Sequence, residues 1–303
     1  MLPIFDSWSQ MRSDNAVDSL HAGSVQNYRF IWQSWLNFLA KDELRWDAAS
    51  SDKVRAFLQS IKPSAKNHTT PSTVSQKRYA RILREIYAFA VITDRVAANP
   101  VTSAALISFT EQHESTVFTV KTWEKIKNLP IYSDALISLL AWEDVRNNAI
   151  LHLLVLEGLQ VIEIQDLLAQ DCLMASAGVT DRIAIRGVRP AQNRVMLLSH
   201  ASAIALNQWL RVREAKLGHG AHPQLPLFMS RKQQAKLSAK SVFWIAREYL
   251  NRVLVEDQKP GRLSPGVIRN TRISEWLQTE PPELVARKAG LQDVNSLSRL
   301  LSD

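Results

Sequence analysis

The sequence predicts a mainly α-helical, α+β fold with one small β-hairpin. Three observations point to it. Apolar residues recur at three- and four-residue spacing along most of the chain, the signature of amphipathic helices. Residues 178–198 instead alternate apolar and polar around a turn. With 303 residues, 46% hydrophobic and 22% charged, the chain is folded rather than disordered and has room for two domains.

The elements follow in order. Residues 1–16 carry no sustained stripe and read as a loose tail. From Ser24, a candidate N-cap, Tyr28, Ile31, Trp32, Trp35, Leu36 and Leu39 define a first helix. A short helix is expected over Asp52 to Ile61, then a polar loop over 62–72 with two prolines. Thr73-Val-Ser-Gln76 has the form of a capping box, followed by an apolar stripe of Val74, Tyr79, Ile82, Leu83, Ile86 and Ala90. Asn99-Pro100 stops the helical region. The polar stretch 107–117 separates a helical domain, 17–106, from a second domain, 118–303. Helices are expected over 120–128, capped by Thr119 or Thr122, then over 134–140 and 143–157. The hairpin strands are Val179–Arg186 and Asn193–Leu198. Everything after Ala201 returns to helix, broken by the loop 218–226.

The formal net charge of +8 favours an anionic partner, and its distribution narrows the choice. From Lys62 to Arg84 there are six cations and no acid, Lys66 among them. Lys77, Arg81 and Arg84 fall on the face opposite the apolar stripe, as a solvated face or as one that tracks phosphates. The single cysteine, Cys172, excludes an intramolecular disulfide and reads as a small hydrophobe. His219 and His222 share a loop without nearby Cys, Asp or Glu, so no metal and no cofactor are expected. The N-terminus lacks the pattern of a signal peptide, and no apolar run reaches the length of a membrane span. The expectation is a cytoplasmic, nucleoid-associated protein with no membrane partner.

A set of ordered boxes spanning roughly residues 18 to 301 resembles the tyrosine recombinase (phage integrase) family. Ser24-Val-Gln-Asn-Tyr28 with Trp32 and Phe38 is similar to the first helix of its helical, SAM-like core-binding domain, and Asn99-Pro100 to that domain's end. Phe118-Thr-Val-Lys-Thr-Trp123 resembles the start of the catalytic domain. Leu154 to Leu168, with Gly158-Leu159 and Glu163, and then Asp171, resembles its first box. The hairpin, Pro226-Leu-Phe-Met-Ser230, Leu237-Ser238, Leu263–Arg272 and Ala289-Gly-Leu291 follow in order.

The resemblance implies phosphoryl transfer. A tyrosine attacks the phosphate, two arginines clamp its oxygens, a hairpin lysine protonates the leaving oxygen, and histidines assist. The residues at these positions differ here. Gln160 stands at the first arginine, and Val188-Arg189 near the lysine. Gly266 stands at the first histidine, Asn270 where a second is common, Leu291 at the histidine of the Gly-His pair, and Leu300 at the nucleophile. Arg269 is the retained arginine. No tyrosine follows Tyr249, and Ser296, Ser298 and Ser302 have no evident base or charge clamp to activate them.

The expectation is therefore a protein that is not an enzyme. It would be a two-domain clamp on double-stranded DNA with Lys66, Lys77, Arg81, Arg84, Arg186, Arg189, Arg269 and Arg272 as phosphate contacts. It would act as a regulator or accessory factor in transcription, replication or recombination control, possibly of a mobile element, beside an active recombinase or another DNA-bound protein. A nicking enzyme with an unorthodox nucleophile, a protein-interaction module and an unrelated all-helical scaffold are the alternatives. The chain ends just after the nucleophile position, which counts against cyclic assembly. The oligomeric state stays open.

Overall fold

The computed structural model describes residues 3–14, 22–61, 73–102, 117–175, 178–187, 190–217, 223–231, 235–255 and 263–301. The chain forms two compact units, 1–112 and 113–303.

The first unit is helical: α1 (Pro3–Asp14), α2 (Ala22–Ala40), α3 (Ser51–Ser60) and α4 (Thr73–Ile92). Its core gathers the predicted stripes: Ile31, Trp32, Trp35 and Leu39 from α2, Val54, Phe57 and Leu58 from α3, and Ile82, Leu83, Ile86 and Tyr87 from α4. Polar groups inside it are matched. Trp35 Nε1 donates to Tyr87 Oη at 3.0 Å, and that hydroxyl donates to Trp46 O at 2.7 Å. Gln76 Nε2 donates to Leu58 O, tying α4 to α3. Ser50 caps α3, its hydroxyl accepting from Lys53 N–H. Asn99 closes the unit: its Nδ2 donates to Arg84 O and its Oδ1 accepts from Val101 N–H.

Two expectations are corrected here. Residues 3–14 are not a loose tail but the helix α1, with Phe5 and Trp8 almost fully buried in this core. Ile4, Phe5 and Trp8 make a stripe too short to stand out from the serines and Gln10 around it, so tertiary burial rather than local pattern fixes the helix. Arg29 reinforces the packing, pairing with Asp6 at 2.8 Å while its guanidinium lies over the Phe5 ring. Ser24 is not an N-cap, because α2 starts at Ala22 and places Ser24 inside the first turn.

The second unit centres on α7 (Trp142–Val155), which follows α5 (Val120–Lys127) and α6 (Asp134–Ile137). Thr119 and Ser133 cap α5 and α6. From Val145 to Val155 every α7 residue except Asn147 is buried, the polar Arg146, Asn148 and His152 included. After α8 (Val161–Asp166) come the strands β1 (Cys172–Met174), β2 (Thr180–Ile185) and β3 (Arg194–Leu197). The predicted hairpin is β2–β3, in the register Ile183↔Met196 and Ile185↔Arg194. β1, three residues long and below the reach of a period-two pattern, adds to its other side through Cys172↔Ile183. Ile183, Ile185 and Met196 face the core. The helices α9 (His200–Leu217), α10 (Ala239–Val253), α11 (Pro265–Leu277), α12 (Pro282–Lys288) and α13 (Ser298–Leu301) complete the unit. A separate small cluster, Ile273, Trp276, Val285, Ala286, Ala289 and Leu297, joins the last three.

Candidate functional site

Two arrangements carry the candidate chemistry, one in each unit. In the first, α4 buries its apolar stripe and exposes Lys77, Arg78, Arg81 and Arg84. Arg81 lies 4.0 Å from Glu85, and its Nη2 donates to Tyr28 Oη at 3.4 Å. The side chains of Arg78 and Arg84 make no hydrogen bond or ion pair among the described residues. Lys66, expected to extend this row, lies outside the described residues.

In the second unit, Glu163 organises the site. It sits in the first turn of α8, where Oε2 accepts the Gln160 backbone N–H at 2.7 Å. Oε1 accepts from Arg194 Nη1 at 2.7 Å, and Arg269 Nη1 lies 3.9 Å from Oε2. Both guanidinium side chains are only 10% exposed. Arg269 also donates to Gly158 O and Ala289 O, so it links the loop before α8 to the end of α12. Burial, together with the charge of Arg194, pulls Arg269 down to about 10 against the opposing pull of Glu163. Arg194 Nε donates to Lys288 O at 2.9 Å.

The neighbouring cations are engaged too. Arg272 donates to Leu156 O and Glu275 and lies over the Trp276 ring. Glu275 also accepts from Lys127 and from Trp123 Nε1. Burial alone would raise Glu275; the bonds from Lys127, Trp123 and Arg272 outweigh it and leave the carboxyl below its ordinary range. Arg186 pairs with Asp171 at 2.5 Å. Arg186, Arg269 and Arg272, read in the sequence as phosphate contacts, thus each hold protein acceptors here, while Arg189 lies outside the described residues.

The remaining motif positions spread over the same region. Gln160 is half-buried at the start of α8. Gly266 is exposed in the first turn of α11, where an added Cβ would meet only Ser264 Oγ at 3.6 Å, an ordinary contact. Leu291 and Leu300 pack on the small cluster that joins α11, α12 and α13. Val188, His219 and His222 lie outside the described residues. Arg194 is the member of the site that sequence reasoning did not single out. Its single sequence-level sign is a cation at the strand position opposite the buried Ile185.

Cys172, half-buried, has its thiol pushed up to about 12 by burial and by the Asp171 charge. Among the described residues, no group of His, Cys, Asp and Glu is placed to hold a metal ion. Nor is any helix there long and apolar enough to cross a membrane.

No protein-family model matches the chain, and no curated protein matches it. Solved structures do. One is XerH site-specific recombinase bound to palindromic difH substrate in a post-cleavage complex, with 15% identity over 98% of this chain and 80% of that one and a TM-score of 0.69. A second is the Tn1549 transposon integrase in complex with a circular intermediate DNA, at 13% identity, 98% and 93% coverage and TM-score 0.66. A third is a lambda integrase dimer bound to a COC' core site, at 14%, 100% and 77%, and 0.63. The chain therefore has the tyrosine recombinase fold over essentially its whole length, helical unit and small-sheet unit alike. This corrects one expectation: altered residues at motif positions do not make the chain a non-enzyme, since its fold is that of recombinases, one of them captured after cleavage.

Proposed function

We propose that this chain binds double-stranded DNA, with the cation row of α4 supplying the leading phosphate contacts. The observation that carries the reading is that row itself. Four cations are exposed on one face of a helix whose other face is core, and two of them hold no acceptor among the described residues. A solvated face normally mixes signs, whereas the residues from 73 to 84 contain no acid. Three neighbours in the recombinase fold, XerH, the Tn1549 integrase and lambda integrase, are DNA complexes, which supports DNA as the anion. The biological role is control of recombination, transcription or replication as a regulator or accessory factor, alongside a DNA-bound recombinase.

The test is fluorescence anisotropy of the purified chain with labelled duplexes from low to physiological salt, followed by selection from a random duplex pool and footprinting. Binding that weakens steeply with salt is expected, because each neutralised phosphate releases a counterion. Absence of binding at low salt overturns the reading. A footprint of two spaced half-sites identifies a dimer on DNA.

A further inference from the structure

The geometry points to Arg194 and Arg269 as the two guanidinium groups of one oxyanion site for a phosphate, with Glu163 as the residue that positions both.

The first argument is charge. Two arginines, each nine-tenths buried, share a single carboxylate. The cluster carries one buried positive charge more than it neutralises, an arrangement that is costly unless an anion completes it. The second is an unused donor. Arg194 Nη2 is buried and has no acceptor among the described residues, although Nε and Nη1 of the same group are bonded. An unpaired buried donor on a charged group is costly, and an incoming oxygen removes that cost.

The third is shape. Gly290 ends α12 with φ +66°, and a Cβ there would overlap Arg194 Nη1, so the guanidinium lies directly against the backbone of the loop after α12. The fourth is position. Gln160, standing where the recombinase pattern has its first arginine, gives its backbone N–H to the same carboxylate that Arg194 reaches from β3. Arg194 thus brings a cation to the carboxylate beside the position where one is missing. The ligand class is a tetrahedral phosphate oxyanion, whether a free phosphate or a backbone diester; only the second source rests on the duplex-binding reading.

The full chain is titrated with inorganic phosphate at constant ionic strength, and its thermal unfolding midpoint is followed. A saturable rise is expected, since a ligand of the native state alone stabilises it. Arg194→Gln should abolish the rise, and Arg194→Lys should weaken phosphate by about ten-fold or more through loss of the planar fork. Glu163→Gln removes the competing anion and should tighten phosphate. Lys41→Gln, exposed just after α2, should leave the rise unchanged. A purely structural Arg194 would lower the midpoint equally with and without phosphate and leave the rise intact, and that result overturns the assignment. So does the absence of a rise in the unmodified chain. Should Arg194→Gln not fold, Arg194→Lys and Glu163→Gln decide: an unchanged phosphate affinity in both overturns the assignment.

Duplex binding is measured beside it. A phosphate response without duplex binding leaves the oxyanion site standing and removes the duplex reading. Duplex binding without a phosphate response does the opposite. Where both occur, phosphate that competes with duplex in the unmodified chain and less so in Arg194→Lys marks the backbone as the source.

Discussion

Neutralising the outer face of α4 tests the proposed interface most directly. Arg84 has no ion pair among the described residues, so its charge is fully available to a phosphate, whereas Arg81 lies 4.0 Å from Glu85 and shares its field. Each phosphate contact contributes about 0.9 to the slope of log affinity against log salt. Arg84→Gln should therefore flatten the slope by about 0.9, Arg81→Gln by less, and the double variant by up to about 1.8. Over a four-fold rise in salt each contact corresponds to about 3.5-fold in affinity, so two correspond to roughly twelve-fold. Both side chains are exposed, so the unfolding free energy should hold to within about 0.5 kcal/mol. Anisotropy titrations at four or more salt concentrations read the slopes. An unchanged slope in the double variant, or a larger effect at Arg81 than at Arg84, refutes the reasoning.

Other outcomes follow from the packing and the buried groups. Trp8→Ala should destabilise the first unit by about 3–5 kcal/mol, read by chemical denaturation, because the ring is fully buried against Phe5 and Tyr28. A loss below about 1 kcal/mol would mean that α1 is not part of the core. The Glu275 carboxyl is depressed in the folded state, so its contribution is fully present above the unfolded carboxylate value near ~4.3 and is lost as pH falls through the folded value. Glu275→Gln should accordingly flatten the acid limb of the stability curve and lower stability at neutral pH; an unaltered limb contradicts the assignment. With its thiol held near about 12, native Cys172 should react with iodoacetamide at pH 8 far more slowly than the unfolded chain does, and equal rates by mass spectrometry would count against it.

Much of the scaffold was legible in the sequence because periodicity is local. The α4 stripe, the cap at Thr119 and the β2–β3 hairpin all rest on residues close together in the chain. α1 was not legible, since three apolar residues specify a helix only once Trp32 and its neighbours provide a surface to bury them on. β1 was hidden for the same reason: its pairing with β2 is tertiary information. At the site, the motif order located Glu163 and Arg269, but not the burial of Arg269 or its carbonyl partners, which come from residues 111 and 20 positions away. Reading missing motif residues as lost activity failed for a related reason, because a motif records positions and not which side chains the fold brings to a point.

Gly290 and Arg194 also constrain the order in which this sequence can change. The guanidinium fills the space a Cβ at 290 would need, and its bonds to Glu163 and Lys288 O keep it from swinging aside. Any side chain at 290 is admissible only after residue 194 has shortened. The left-handed backbone at 290 adds a second barrier. Substitution at these two positions is thus one-way: 194 moves first, and 290 follows or stays glycine.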